Sequence, residues 1–244
     1  MKIRWILPFL IVLLSSNNAF AMHIADGIIS LQWSLLWFAL VIPFIFLGIG
    51  KIKKLSESEL FFKPLIGLLT ALVFIISVMP IPVPIVGTCS HPTGVAVSSI
   101  ILGPFVSVIV SAVALLFQAL FLAHGGLTTL GANIFSMGVV GSFTSYAIFR
   151  LCRKMGLGII LAGFLAGIMA DWTTYAATSF QLASGLAKEG EMLSLLWKIS
   201  LAFVPTQLPL GIIEGGITAG ALLLLYKRRK DILLKMNVLQ EEGK

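Results

Sequence analysis

A methionine and a histidine, Met22 and His23, directly follow the run Ala19 to Ala21. If the chain is cut after Ala21, the amine of Met22 and the amide and imidazole nitrogens of His23 can bind one divalent ion in a plane, with a fourth position open. Such nitrogen donors suit cobalt, nickel or copper better than magnesium or calcium, which prefer oxygen ligands. The sequence therefore indicates a metal-binding terminus; the alternative is a histidine that is merely solvated.

The stretch before Met22 has the three parts of a secretory signal peptide. Lys2 and Arg4 are basic, residues 5–14 are apolar, and a small-x-small pattern ends at Ala21. The apolar run is too short to span a bilayer, so a transmembrane anchor is the weaker interpretation. We predict that residues 1–21 are a cleaved signal peptide.

The composition is that of an integral membrane protein. Hydrophobic residues make up 58% of the chain and charged residues 11%, and the mean hydropathy is +1.04. The net charge of +7 does not indicate a nucleic-acid partner, because the basic residues lie between and after apolar stretches, as the positive-inside rule requires. We predict a membrane metal-binding domain over residues 22–230 and a short cytoplasmic tail over residues 231–244.

Seven apolar stretches follow the predicted cleavage site, and they predict an all-α membrane protein with about seven transmembrane helices. The third stretch is short and ends at Gly103 and Pro104, so it is expected to be broken or re-entrant, and a count of six remains open. The stretches are approximately Trp33–Ile52, Pro64–Met79, Gly94–Leu102, Phe105–Leu122, Ile134–Leu151, Leu157–Phe180 and Trp197–Tyr226.

The positions of the charged residues predict the orientation. Basic clusters follow the first, fifth and seventh stretches, which places the N-terminus outside and the C-terminus in the cytoplasm. The N-terminal segment, residues 80–91, residues 124–132 and residues 181–191 would then all lie on the outer face. The basic residues concerned are Lys51, Lys53, Lys54, Lys63, Arg150, Arg153, Lys154, Lys227, Arg228, Arg229 and Lys230.

The chain has only 3 histidines, and all are predicted on that outer face. His91 lies in a loop of small and hydroxylated residues that leaves room for another segment, so it is the expected fourth metal ligand. His124 and Asn133 border a glycine-containing segment and are candidate outer partners of the ligands, although His124 can equally be structural. Asp26 is expected to orient the metal-bearing segment or to accept a hydrogen bond from a histidine N–H.

Several alternatives remain open at this point. Cys89 lies two residues before His91 and would add a thiolate if softer ions were bound. Asp171 and Glu214 lie within apolar stretches, where a charge is paired or functional. Together with His124 they would form the zinc site of a membrane-embedded metalloenzyme, but no His-Glu-x-x-His helix is present.

No Walker A pattern occurs in the chain. We therefore expect the energy for any transport to come from another polypeptide, or from the metal gradient and membrane potential if the chain works alone as a secondary transporter. Small residues such as Ala162, Gly163, Ala166 and Gly167 offer close helix contacts, either to a partner or within the bundle.

Four sequence segments together resemble the CbiM family, and the resemblance covers essentially the whole chain. The segments are the Met22–Gly27 terminus, the loop Gly87–Gly94 that reads GTCSHPTG, the run Leu116–Asn133 that reads LFQALFLAHGGLTTLGAN, and Thr206–Pro209 with Glu214 and Gly215. The resemblance implies the substrate-capture subunit of an energy-coupling factor (ECF) transporter that imports Co²⁺ for cobalamin biosynthesis, without enzyme activity of its own.

The resemblance also implies a ligand set and partners. In related nickel-binding subunits the terminal amine, the amide and imidazole of the second residue and a further histidine hold the ion, which here are Met22, His23 and His91. Family members work with a small membrane subunit, CbiN, a transmembrane coupling subunit, CbiQ, and an ATPase, CbiO. The ion is the transported substrate, not a cofactor. The residues alone do not separate Co²⁺ from Ni²⁺, so a nickel-specific homologue is the main alternative.

Overall fold

The computed structural model describes residues 23–78, 81–83 and 88–239. The predicted signal peptide, Met22 and residues 240–244 lie outside these ranges. The side chain of Cys89 is not among those described.

Helices account for most of the described chain. They are α1 (Leu31–Ser58), α2 (Phe62–Ser77), α3 (Val95–Leu102), α4 (Pro104–Phe121), α5 (Leu130–Lys154), α6 (Ile159–Leu186), α7 (Met192–Arg228) and the short α8 (Lys230–Lys235). Helices α1 to α7 coincide in order with the seven apolar stretches, which confirms the all-α prediction. Five of the described helices, α1, α4, α5, α6 and α7, are long and apolar enough to cross a membrane. The chain is a multi-pass membrane protein.

A small hairpin is the only β structure among the described residues. Strands β1 (Ile81–Val83) and β2 (Thr88–Ser90) pair antiparallel, with Ile81 opposite Ser90. Both strands contain β-branched residues, which favour extended backbone. The hairpin delivers the chain to His91 immediately after β2.

Helix α3 is short, and every one of its residues is buried. It ends at Leu102 and is followed by Gly103, whose positive φ of 84° lets the chain turn before Pro104 begins α4. Ser98 bonds Ser107 of α4 at 2.6 Å, and Ser99 bonds Ser145 of α5 at 2.5 Å. The prediction of a broken helix at this position is therefore confirmed, and the half-buried Gly103 lines a cavity, where irregular backbone is tolerated in a membrane protein.

Helices α6 and α7 form a long antiparallel pair that packs closely. A Cβ placed on Gly167 would lie 2.8 Å from the Cα of Gly215, so the two backbones approach each other only because both residues are glycine. Ala162 and Ala166 are fully buried, and Gly163 faces Leu222. These small residues are thus used within the bundle.

The two ends of the bundle differ in charge. At one end Lys51, Arg150 and Lys235 line a single cavity of about 360 Å³, and Lys235 pairs with Glu59 at 3.3 Å. The N-terminal segment, residues 23–30, lies at the opposite end, where Asp26 contacts the loop between α4 and α5. This segregation agrees with the positions that the sequence predicted for the basic clusters.

Candidate metal centre

The N-terminal segment is packed into the bundle by the backbone of Ile24. Its N–H donates to Asn133 Oδ1 at 3.0 Å, and its carbonyl accepts from Asn133 Nδ2 at 3.2 Å and from Thr129 Oγ1. The Ile24 side chain is fully buried. Because an unpaired buried backbone group costs about 1–3 kcal/mol, Asn133 holds the segment in place by satisfying both backbone groups of one residue.

Asp26 fastens the same segment to the loop before α5. Its carboxylate accepts hydrogen bonds from the backbone N–H of Leu127 at 3.2 Å and of Thr128 at 2.8 Å, and from the Thr128 hydroxyl. Burial raises the pKa of Asp26, but these hydrogen bonds together outweigh burial, and the net pKa lies below its ordinary value. Of the two roles expected for Asp26, these contacts support the first, which is to orient the N-terminal segment, because the hydrogen bonds of its exposed carboxylate go to the loop and not to a histidine.

Two glycines allow the segment to approach this loop. A Cβ on Gly126 would collide with the carboxyl group and backbone nitrogen of Asp26. Gly125 has a φ of +76°, and a Cβ there would lie 3.2 Å from His23 Cβ. The close backbone approach expected from the sequence is therefore present, and any larger residue at 126 would displace the segment.

His23 and His91 come together inside the protein. Their ring centroids are 4.6 Å apart at an interplanar angle of 80°, and the two residues are 8% and 1% exposed. The contact joins the N-terminal segment to the residue after β2. The two histidines that the sequence singled out as ligands thus share one buried location.

His91 is positioned by Tyr175 of α6 and by the adjacent Pro92. Tyr175 of α6 accepts from the His91 backbone N–H at 2.9 Å and lies 3.2 Å from its carbonyl oxygen, to which it donates. The ring Nδ1 lies 2.9 Å from the Pro92 carbonyl oxygen. Since a carbonyl only accepts, Nδ1 carries a proton, and in the neutral ring Nε2 then carries the lone pair.

His23 is positioned by a residue that the sequence reasoning missed. Its Nε2 lies 2.9 Å from Oε1 of Gln118 in α4, and Gln118 is fully buried. The available signal was a glutamine inside an apolar membrane stretch, because such polar residues face the bundle interior and find partners.

The surroundings of His23 favour its neutral form. Burial lowers its pKa well below the ordinary value, the neighbouring His91 lowers it further, and the hydrogen bond to Gln118 only partly opposes this. A neutral imidazole is the form that binds a metal ion. The environment therefore keeps His23 ready to coordinate at neutral pH.

His124 is half-buried beside this location. Burial lowers its pKa, and its positive form would lower the pKa of His23. Its backbone N–H donates to the main-chain oxygen of Gln118 at 3.2 Å. Its ring Nδ1 has no hydrogen-bond partner among the described residues. His124 thus lies near His23, and the contacts that we can assign to it are structural.

Side chains alone do not complete a metal site within the described ranges. No group of three or more His, Cys, Asp or Glu side chains there is arranged to hold an ion. A site at His23 and His91 would need nitrogen donors from the backbone. The predicted donors of that kind are the Met22 amine, which lies outside the described residues, and the amide of His23.

Glu214 of α7 holds the backbone that follows His91. It accepts hydrogen bonds from the Thr93 N–H, from the Thr93 hydroxyl at 2.6 Å and from the Gly94 N–H at 3.0 Å.

Asp171 is fully buried, and its carboxyl oxygens have no hydrogen-bond partner within the described part of the chain. His124 does not form a three-residue metal group with these acids, so the geometry gives the metalloenzyme hypothesis no support.

Comparison with known proteins identifies the family. Residues 23–232 match the CbiM family, described as the cobalt uptake substrate-specific transmembrane region. A protein of Geobacter sulfurreducens called cobalt transport protein CbiM is 53% identical over 231 residues, which cover 95% of this chain and 67% of that protein. A protein of the same name from Sorangium cellulosum is 51% identical over 219 residues, with coverages of 90% and 97%.

Two solved structures of transition metal transporters resemble this fold. A truncated transition metal transporter has a TM-score of 0.75 at 25% identity, with 84% of this chain and 99% of that chain covered. A second transition metal transporter has a TM-score of 0.75 at 26% identity, with coverages of 88% and 98%. With a family match that spans most of its length and relatives above half identity, the chain belongs to the CbiM family of cobalt uptake membrane components.

Proposed function

We propose that this chain captures Co²⁺ for import as the substrate-binding subunit of an ECF-type transporter that serves cobalamin biosynthesis. The observation that carries the proposal is the buried contact between His23 and His91, whose ring centroids are 4.6 Å apart. The names of the relatives support cobalt as the cargo. The ion is a substrate that is bound and released, so the chain itself needs no cofactor.

The proposed ligand set combines backbone and side-chain nitrogens. After cleavage behind Ala21, the Met22 amine, the His23 amide nitrogen and the His23 imidazole would occupy three positions around the ion. His91 Nε2 would supply the fourth. Both rings are buried, so water would be largely excluded from the bound ion, which strengthens its electrostatic interactions with the protein.

The proposed orientation follows from the distribution of charge. Basic residues of α1, α5 and α8 meet at the end of the bundle away from His23, so we place that end in the cytoplasm and the metal site toward the outside. Seven helices, α1 to α7, would then build the membrane layer. The short α2 and α3 would contribute without each needing the full length of a span.

The proposed transport cycle needs partners. The chain has no Walker A pattern, and ATP hydrolysis is assigned to a CbiO-like ATPase. A CbiQ-like coupling subunit would reorient the loaded chain, and a CbiN-like subunit would complete the complex. The competing hypothesis is that the chain transports the ion alone, as a secondary transporter without these partners.

The decisive experiment characterises the N-terminus together with the metal. The chain is expressed with its full leader, purified from membranes, sequenced from its N-terminus and analysed for bound elements. We expect the sequence to begin at Met22, with Co²⁺ bound at one ion per chain. Equally tight Co²⁺ binding by protein that retains residues 1–21 would contradict the terminal chelate. Uptake that persists without the ATPase would contradict the ECF assignment.

The second candidate is a nickel-specific homologue, because the three planar nitrogen donors of Met22 and His23 suit Ni²⁺ as well as Co²⁺. Competition between Co²⁺ and Ni²⁺ for the cleaved protein, followed by uptake of each ion in cells that express the complex, separates the two. Preferential Ni²⁺ uptake would overturn the assignment of cobalt as the cargo, but it would be consistent with the proposed ligand set.

A further inference from the structure

We propose that Gln118, held by Ser77, is a positioning residue that determines which ring nitrogen of His23 carries the proton. Its hydrogen bond keeps the proton on Nε2, so that the lone pair of Nδ1 faces the ion. The inference rests on the proposed function, because it concerns the same site. It adds two residues, one from α2 and one from α4, whose roles neither the family match nor the relatives' names describe.

A chain of hydrogen bonds leads from His23 into α2. His23 Nε2 lies 2.9 Å from Gln118 Oε1. Gln118 Nε2 donates to Ser77 Oγ at 2.6 Å, and Ser77 Oγ donates to the Val73 carbonyl at 2.6 Å. All three side chains are buried, with Gln118 and Ser77 at 0% exposure, so water does not compete for these bonds.

The donor and acceptor in each hydrogen bond follow from the last group in the chain, the Val73 carbonyl. The Val73 carbonyl can only accept, so the Ser77 hydroxyl donates its one hydrogen to that carbonyl. Toward Gln118, Ser77 Oγ can therefore only accept. Gln118 must then turn its amide NH₂ toward Ser77, which leaves its carbonyl oxygen facing His23. A carbonyl oxygen requires a donor, so His23 Nε2 carries the proton and Nδ1 carries the lone pair.

This assignment matters because the two ring nitrogens are not equivalent for a terminal chelate. Only Nδ1 is close enough to the main chain to share an ion with the amide nitrogen of His23, since Nε2 lies on the far side of the ring. The bond to Gln118 also makes the imidazole a stronger donor, as outer partners of metal-bound histidines do.

His91 shows the opposite assignment and provides an internal reference. Its Nδ1 donates to the Pro92 carbonyl, so in the neutral ring its Nε2 carries the lone pair. The two facing histidines would therefore present different nitrogens to one ion, each set by its own acceptor. Gln118 would act on His23 alone.

The first experiment records ¹⁵N NMR of the histidine rings in the cleaved, metal-free protein. We expect His23 to be protonated at Nε2 and His91 at Nδ1. In Gln118→Met, which has a similar shape and no amide, His23 should populate both tautomers while His91 stays unchanged. An unchanged His23 spectrum in Gln118→Met would overturn the inference.

The second experiment measures Co²⁺ affinity by calorimetry. Gln118→Met should lose about 10–100-fold, the usual effect of removing an outer partner, whereas Gln118→Glu keeps an acceptor oxygen and should restore most of the affinity. Equal losses in both variants would reduce Gln118 to a packing role and overturn the inference.

The third experiment tests whether Ser77 acts through Gln118. Ser77→Ala should weaken Co²⁺ binding in the wild-type background and have no further effect in Gln118→Met. Ser111→Ala is the matched control, because Ser111 is also buried and donates to a carbonyl of its own helix at 2.8 Å. Additive losses from Ser77 and Gln118 would overturn the coupling.

The outcomes also separate this inference from the proposed function. The NMR measurement needs no metal, so it tests the role of Gln118 even in a protein that captures no ion. Wild-type protein with the expected tautomers and no Co²⁺ affinity would overturn the proposed function and support the tautomer assignment.

Discussion

The imidazole of His23 meets the imidazole of His91 edge to face, with ring centroids 4.6 Å apart. Each histidine is held by a different helix. Gln118 of α4 holds His23, whereas Tyr175 of α6 holds the backbone of His91. The contact therefore joins two parts of the fold, and each can be weakened independently by substitution.

Replacement of His91 should weaken metal binding far more than replacement of His124. His91→Ala removes a proposed ligand, and we expect its Co²⁺ affinity to fall by more than about 100-fold, beyond the loss typical of an outer partner. His124→Ala is the matched control, because His124 is half-buried nearby and should change the affinity by about 10-fold or less. The opposite ranking, measured by calorimetry, would show that the fourth ligand is misassigned.

Prevention of signal cleavage should abolish high-affinity binding although His23 remains. A bulky charged residue in Ala21→Arg blocks the small-x-small site, so the nitrogen of Met22 stays an amide and cannot act as an amine donor. Mass spectrometry verifies that the leader is retained, and calorimetry measures the Co²⁺ affinity. Wild-type affinity in the uncleaved variant would contradict the terminal chelate.

Docking of the N-terminal segment should weaken as the pH falls below about 6.5. Burial lowers the pKa of docked His23 below that value, so in this window a released segment binds a proton that the docked segment does not. The stabilisation is therefore complete above the ordinary imidazole pKa and is lost on acidification. Asp26 adds no change there, because its pKa is also lowered from 3.8.

Hydrogen exchange of the Ile24 amide in metal-free protein, measured as a function of pH, tests this expectation. Exchange should accelerate on acidification after correction for the intrinsic rate. His23→Gln, which does not titrate, should show no such dependence. A pH dependence that persists in His23→Gln would assign the effect to another group.

An alanine at position 126 should displace the N-terminal segment. Its Cβ would collide with Asp26, and we expect a cost of about 1–3 kcal/mol in docking, as overpacking usually causes. Co²⁺ affinity should fall accordingly. Gly50→Ala is the control, because a Cβ there meets nothing within 4 Å. Equal affinities for the two variants would show that the Asp26 contact does not support the site.

Glu214 should matter for stability more than Asp171. Glu214→Ala leaves the Thr93 and Gly94 N–H groups without their acceptor, at a cost of about 1–3 kcal/mol for each unsatisfied group, and it loosens the backbone next to His91. Asp171→Asn should change the unfolding free energy by less than about 1 kcal/mol, since the described residues provide no hydrogen-bond partner for its carboxyl group.

Thermal unfolding in detergent measures both effects, and Co²⁺ binding by Asp171→Asn provides the functional control. Wild-type binding in Asp171→Asn without hydrolytic activity would contradict the metalloenzyme hypothesis. A larger loss in Asp171→Asn than in Glu214→Ala would show that Asp171 has a partner or role outside the contacts described.

Local patterns in the sequence were enough for the membrane fold and for the two histidines. Hydropathy over a span reports burial in lipid directly, so α1 to α7 follow the apolar stretches in order, and the break at Gly103 and Pro104 is visible from residue type alone. The chelating potential of Met22 and His23 likewise depends only on their adjacency. Cleavage after Ala21 stays a prediction, because those residues lie outside the described ranges.

Packing between distant segments decided the rest. The sequence left open whether Asp26 orients the N-terminal segment or bonds a histidine, whereas the tertiary structure pairs Asp26 with Thr128 and His23 Nε2 with Gln118. Hydrogen-bond partners depend on which helix faces meet, and hydropathy does not specify these pairings. Residue types and their local order thus determined a membrane protein and predicted a metal-binding terminus, whereas only the folded arrangement of helices determined which groups hold His23 and His91 against each other.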